Sequence, residues 1–202
     1  EGMSRDTRFG FLIDLRRCLG CHTCQISCKV ENDVPLGVYR TWVKTVEKGT
    51  YPLARNYFLP IVCNQCEKPS CTSVCPVNAT YSMENGIVYI DPHRCIGCGY
   101  CMAACPYGVR FLHPVRNVAE KCDWCWPRVR DGHGPPACVA NCPGGVFVFG
   151  DIRDPKSEIS RVLSRESVTV LKPETGNRPM AFYVGKDEMA SRIVAVTEGE
   201  EE

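Results

Sequence analysis

Cys95-Ile96-Gly97-Cys98-Gly99-Tyr100-Cys101-Met102-Ala103-Ala104-Cys105-Pro106 is the stretch on which the fold turns. Three cysteines fall at every third position, a fourth follows after three more residues, and a proline closes the run. The spacing recurs upstream in Cys18, Cys21, Cys24 and Cys28. Two looser groups, Cys63, Cys66, Cys71, Cys75 and Cys122, Cys125, Cys138, Cys142, complete a set of sixteen cysteines in 202 residues, about 8% of the chain and far above ordinary usage. Three of the four groups end in Cys-Pro; Cys28, followed by Lys29, does not. The flanks repeat as well. Ile13-Asp14-Leu15-Arg16-Arg17-Cys18-Leu19-Gly20-Cys21 returns as Ile90-Asp91-Pro92-His93-Arg94-Cys95-Ile96-Gly97-Cys98, and Pro69-Ser70-Cys71 to Pro76 is echoed by Pro136-Ala137-Cys138 to Pro143. Two kinds of half-unit therefore alternate, each present twice.

Groups one and three carry the C-x2-C-x2-C-x3-C spacing of bacterial ferredoxins, in which the fourth cysteine of a run ligates the neighbouring cluster. A [4Fe–4S] cube needs four converging thiolates, and a C-x2-C-x2-C loop wraps it with three of them while its backbone N–H groups face the sulfides. The repeats then read as a duplicated two-cluster ferredoxin. Disulfides would suit a small secreted scaffold, and the tight four-fold grouping argues against them. Structural zinc prefers two C-x2-C knuckles with a spacer; group four alone fits that pattern, groups one and three do not. A cluster enzyme would leave one iron free of cysteine for its substrate, and here each cluster can have four. No Ser/His/Asp set or glycine-rich phosphate loop replaces it, and His22, His93, His113 and His133 are scattered. The reading is electron transfer without catalysis by this chain.

The rest of the sequence narrows little. The length allows one large or two small domains, and a net charge of +1 points to no acidic or basic partner and to no nucleic acid. No run of eighteen apolar residues is present, so no membrane span is expected. Glu1–Arg8 is polar, lacks Met at position 1 and has no apolar signal segment, which leaves a removed leader open. Phe9–Leu15, Tyr57–Val62, Ile87–Ile90 and Val146–Phe149 read as strands beside the cysteine loops, and Met102-Ala103-Ala104 as the turn of a short helix. Beyond Asp151 the chain has no cysteine. There Pro155–Arg165 reads as a helix capped near Asp154 or Ser157, Val168–Leu171 and Ala181–Val184 as strands, and Glu198–Glu202 as a disordered acidic tail.

With four such groups in this order, the chain resembles the four-cluster iron–sulfur subunits of the complex iron–sulfur molybdoenzymes. These are the electron-transfer subunits of dimethyl sulfoxide, polysulfide, thiosulfate and tetrathionate reductases and of related quinone-linked complexes. The likeness runs through Val30-Glu31-Asn32-Asp33-Val34-Pro35, Ala104-Cys105-Pro106-Tyr107-Gly108-Val109-Arg110, Phe149-Gly150-Asp151-Ile152-Arg153-Asp154-Pro155 and Leu171-Lys172-Pro173-Glu174. Its last two segments lie outside anything a simple ferredoxin needs.

The resemblance implies a ligand scheme. Cys18, Cys21 and Cys24 would share a cluster with Cys142; Cys122, Cys125 and Cys138 with Cys28; Cys63, Cys66 and Cys71 with Cys105; and Cys95, Cys98 and Cys101 with Cys75. All sixteen ligands are kept, so four [4Fe–4S] clusters are expected. The implied fold is α+β, with two interleaved ferredoxin-like domains: an outer one of residues 1–56 and 114–150, an inner one of 57–113, and a partner-contacting extension of 151–202. The implied partners are a catalytic subunit with a molybdenum or tungsten bis-pterin cofactor and an integral membrane quinone-reactive or cytochrome subunit. The implied place is the surface of the cytoplasmic membrane, on its outer face. A stand-alone soluble polyferredoxin is the competing reading.

Four oxidised cubes with their thiolates carry roughly −2 each, which turns the apo +1 into about −7. Arg16, Arg17, Lys29, Lys68, Arg94, Lys121, Arg128 and Arg130 lie next to ligands in the sequence and are candidates for stabilising reduced clusters; the bland alternative is solvated surface charge. Trp124 and Trp126 fall in group four and suit packing that keeps water away. Trp42 suits either a partner face or ordinary core.

Overall fold

The computed structural model of the chain describes residues 7–186. Its central strand, β1 (Phe9–Asp14), is apolar on both faces and buried on both. It pairs antiparallel with β8 (Phe147–Asp151), Phe11 opposite Phe149, and parallel with β9 (Ala181–Val184), Phe11 opposite Ala181. Alternation sorts its side chains. Phe9, Phe11 and Ile13 enter the main core with Trp124, Trp126, Phe147 and Tyr183, while Leu12 turns to a smaller cluster with Ile159 and Val184. Gly10 makes the second layer possible. A Cβ there would come within 2.5 Å of Ile152 Cγ2 and 3.2 Å of Ile159 Cδ1, so the helix α6 (Glu158–Leu163) reaches the strand only over a bare backbone.

Three hairpins complete the sheets. β2 (Trp42–Lys48) and β3 (Arg55–Ile61) pair antiparallel with Trp42 opposite Ile61. β4 (Thr80–Ser82) pairs with β5 (Val88–Ile90), and β6 (Arg110–Leu112) with β7 (Ala119–Lys121). The helices are short because each needs only to carry ligands out of a loop: α1 (Thr23–Glu31), α2 (Ser70–Ser73), α3 (Tyr100–Ala103), α4 (Trp126–Arg130) and α5 (Ala137–Ala140). Packing pairs α1 with α5 and α2 with α3, so group one meets group four and group two meets group three.

The cysteine-free segment is woven into this body. Ile159 and Tyr183 are fully buried, and the Tyr183 hydroxyl donates to the Pro60 carbonyl at 3.1 Å. Backbone bonds from Met180 N to Asn64 O (2.8 Å), Glu67 N to Arg178 O (2.9 Å) and Lys68 N to Asn177 O (3.0 Å) lay residues 177–180 along the second cysteine loop.

Most expected elements appear with shifted ends. The helix expected over Pro155–Arg165 is confined to Glu158–Leu163, capped by Ser157, whose Oγ accepts from Ser160 N at 3.2 Å. The strand expected over Val168–Leu171 does not form. Only Thr169 bridges Tyr183, and Lys172, at φ 46° ahead of Pro173, then turns the chain away. The nine-residue α1 and the β2 strand are additions to the elements expected from the sequence. The acidic tail Glu198–Glu202 lies outside the described residues.

Candidate metal centres

All four C-x2-C loops bend the same way. The residue before the second cysteine has positive φ in each: Gly20 at 68°, Gln65 at 41°, Gly97 at 68° and Trp124 at 56°. Glycine meets this cheaply. A Cβ on Gly20 would lie 2.4 Å from the Phe58 ring, and one on Gly97 would lie 2.3 Å from the Asn117 carbonyl oxygen. Gln65 and Trp124 take the same strained turn with large side chains, and those side chains have work to do. Gln65 Nε2 donates to the Cys122 carbonyl at 2.9 Å, and Trp124 Nε1 donates to the Cys63 carbonyl at 3.1 Å. Groups two and four thus clasp each other reciprocally.

The loops gather cysteines around cavities. One cavity is lined by Cys18, Cys21, Cys24 and, from far along the sequence, Cys142. A second is lined by Cys63, Cys66, Cys71 and Cys105. Cys28 lies within electrostatic reach of Cys122 and Cys125, and Cys138 of all three. Of Cys75, Cys95, Cys98 and Cys101, two are linked through Arg110, whose charge acts on Cys75 and Cys101. Among the described residues no three His, Cys, Asp or Glu side chains converge closely enough to hold a single ion. The donors surround spaces rather than a point, which suits a cube of iron and sulfide and not a lone zinc.

Backbone N–H groups point at the sulfurs. Ala79 N donates to Cys75 Sγ (3.2 Å), Val146 N to Cys142 Sγ (3.4 Å), Ala119 N to Cys95 Sγ (3.3 Å) and Trp124 N to Cys122 Sγ (3.4 Å). Such bonds favour thiolate over thiol. Burial works the other way. It pushes Cys24 up to about 11 and Cys28 and Cys66 up to about 12, with neighbouring sulfur charges adding to the effect; Cys122 and Cys138 are also pushed well up. Cys21 is held low by hydrogen bonding from Thr23. At Cys75 a burial penalty is outweighed by the N–H groups of Thr80, Val77 and Ala79. Cys24, Cys28, Cys66, Cys122 and Cys138 therefore stay neutral as bare thiols, and a cationic iron core is what would let them ionise.

Polar side chains complete the fit. Asn64 lines the second cavity, is fully buried, and has no partner for either Nδ2 or Oδ1 among the described residues. A sulfide in that cavity would accept from its Nδ2. Asn32 Nδ2 lies 3.6 Å from Cys28 Sγ and 3.7 Å from Cys125 Sγ. Its oxygen accepts from Arg40 Nη1 at 2.9 Å, which fixes the amide orientation.

Of the eight basic candidates, Lys121 alone is buried, with its Nζ 2.9 Å from the Cys122 carbonyl and 3.4 Å from Gln65 Oε1. Lys29 instead ties its own loop, donating to the carbonyls of Pro35 (2.6 Å) and Val38 (2.8 Å). Arg16 pairs with Asp14 and Glu166, Arg94 with Asp91, Arg128 with Glu31 and Arg130 with Asp131. Lys68 is exposed. Trp124 and Trp126 are both buried, as expected, and Trp42 packs partly buried against the core. The sequence reading missed Arg40, Arg110, Asn64 and Gln65. Only their polarity beside apolar neighbours could have flagged them.

A family model described as "4Fe-4S dicluster domain" matches residues 54–152. The chain is 46% identical over 192 residues to the B subunit of tetrathionate reductase from Salmonella typhimurium, covering 93% of this chain and 76% of that protein. It is 43% identical over 182 residues to the B subunit of tetrathionate reductase from Archaeoglobus fulgidus (90% and 84%). To the B component of polysulfide reductase from Wolinella succinogenes it is 41% identical over 182 residues (88% and 94%).

Proposed function

Since the chain belongs to the family of iron–sulfur B subunits of tetrathionate, polysulfide and dimethyl sulfoxide reductases, we propose that it holds four [4Fe–4S] clusters in a single file between a catalytic subunit and a membrane subunit. It is an iron–sulfur electron-transfer subunit of a reductase complex and not its catalytic chain. Each cube, when bound, takes up and releases one electron at a time. What the protein does is hold, space and bias the four.

One observation carries the ligand scheme: Cys142 lines the cavity of Cys18, Cys21 and Cys24, and Cys105 that of Cys63, Cys66 and Cys71. The fourth ligand comes from another group in both. The same exchange gives Cys28 to Cys122, Cys125 and Cys138, and Cys75 to Cys95, Cys98 and Cys101. The packing of α1 on α5 and α2 on α3 supports two interleaved ferredoxin-like domains, 1–56 with 114–150 outside and 57–113 within.

The order of the sets follows from neighbours. Cys24 acts on Cys138, Cys63 acts on Cys122, and Arg110 touches Cys71 and reaches Cys101. The file therefore runs from the Cys18 set through the Cys122 and Cys63 sets to the Cys95 set. Its two ends carry the exposed cysteines, Cys21 and Cys98. Beside them stand the apolar side chains Leu19 and Ile96, 70% and 63% exposed at matching positions of the repeat. Apolar surface around both terminal sets suits two docked partners, a molybdenum or tungsten pterin subunit and a quinone-reactive or cytochrome subunit. No helix among the described residues is long and apolar enough to cross a membrane. We place the chain peripherally on the membrane, at its outer face.

The test is elemental analysis of the complex taken gently from its membrane. About sixteen irons per chain, with molybdenum or tungsten, is the expected result. The same iron without either metal would point to another catalytic partner or to a stand-alone carrier. About four zincs and little iron would overturn the cluster assignment.

A further inference from the structure

Arg110 is 6% exposed and lines the cavity of the Cys63 set. A buried guanidinium is strongly unfavourable unless an anion compensates it. Arg40, a half-buried arginine also near cysteines, has carboxylates: Glu120 at 3.4 Å and Asp123 at 3.3 Å. Arg110 has none among the described residues. Nη1 donates to Thr80 Oγ1 at 3.2 Å, and Nη2 donates to Cys71 Sγ at 2.8 Å. The other charges that would act on it are those of sulfurs once ionised: Cys63 and Cys101 act on Arg110, and Arg110 acts on Cys75.

These four cysteines fall in different ligand sets. Cys63 and Cys71 line one cavity, and Cys75 and Cys101 stand in the set at the end of the file. A planar fork with five N–H groups can serve both at once, which a lysine could not do. The position is fixed from two directions. Arg110 opens β6, paired with Lys121, and its side chain is held by Thr80 at the start of β4.

We propose that Arg110 is the shared counter-ion of the Cys63 and Cys95 ligand sets and raises the midpoint potentials of both clusters those sets hold. The proposal rests on the ligand scheme above. Reduction adds one negative charge to a site already near −2, and a fixed cation between two such sites favours the electron on either. Both potentials rise together, so the step between them stays shallow while the pair as a whole accepts electrons more readily.

The experiment is a redox titration of the intact complex followed by electron paramagnetic resonance, with iron counted in each sample. Wild-type protein with fewer than four one-electron steps would defeat the ligand scheme itself. With four steps present, R110Q is expected to lower two midpoints and leave the other two in place. The expected size is about tenfold in the reduced-to-oxidised ratio at fixed potential, or about 59 mV. Where R110Q fails to load iron, R110K carries the test. It keeps the charge but loses the fork, and the same two midpoints are expected to fall by less. Fully loaded R110Q or R110K with no midpoint moved, with only one moved, or with all four moved alike would overturn the shared role.

Discussion

Trp124 donates its indole N–H to the carbonyl oxygen of Cys63, at 3.1 Å and across 61 residues of chain. The reverse bond, from Gln65 to the carbonyl of Cys122, makes the contact between the second and fourth cysteine loops mutual. Trp124→Phe keeps the ring but leaves a buried carbonyl without its donor. A loss of about 1–3 kcal/mol is expected, seen as a lower midpoint in thermal unfolding with iron content unchanged.

Asn32 stands over two sulfurs and is aimed by Arg40. Asn32→Leu removes an amide donor from Cys28 Sγ and Cys125 Sγ while keeping a similar volume. Fewer N–H···S bonds favour the oxidised cluster. One midpoint of the four is expected to fall, at full iron loading, in a redox titration. Four unchanged midpoints would remove Asn32 from the site.

Lys121 and Arg94 make a matched pair of cations beside ligands. Lys121 is 4% exposed, whereas the Arg94 side chain is 64% exposed and paired with Asp91. Water screens the second and not the first. Lys121→Gln is expected to lower the potentials of the Cys122 and Cys63 sets, and Arg94→Gln to move none. The titration that reads Asn32 reads both.

Cluster loading should depend on pH with a definite sign. Cys24, pushed up to about 11, and Cys28 and Cys66, to about 12, are neutral thiols across the ordinary range, so each must release a proton to bind iron. Reconstitution of the stripped chain with iron and sulfide is therefore expected to release protons. It should also go further at pH 8.5 than at pH 7, the apparent affinity rising about tenfold per pH unit for each proton displaced. Equal loading at both values would mean that the stripped cavities are open to water.

Much of the site could be read from the chain before any coordinates, because cysteines grouped at fixed spacing have few other uses. The crossing of Cys142 and Cys105 into other groups' cavities came from the resemblance and not from spacing. Side chains that bias the clusters were harder to read. Arg110 sits five residues beyond Cys105, Arg40 twelve beyond Cys28, and neither adjoins a ligand in sequence. The basic residues that do adjoin ligands mostly face solvent, since a loop wrapped round a cavity turns its other face outward. The segment after Asp151 looked separable because it has no cysteine. Fully buried Ile159 and Tyr183 show that its contribution is apolar packing, which deletion would remove along with any docking role. Ile159→Ala, expected to cost about 2–4 kcal/mol, separates the two.

The parallel pairing of β9 with β1 joins Ala181–Val184 to Phe9–Asp14. A ribosome makes the first of these strands long before the second. Residues 63–105, which hold every cysteine of the second and third groups, have emerged long before Cys142 exists, and the sheet cannot close until residue 184 has been added. Maturation thus has a built-in sequence: the cavity of Cys18, Cys21 and Cys24 waits for Cys142, and that of Cys63, Cys66, Cys71 and Cys105 gains its Asn177 wall later still.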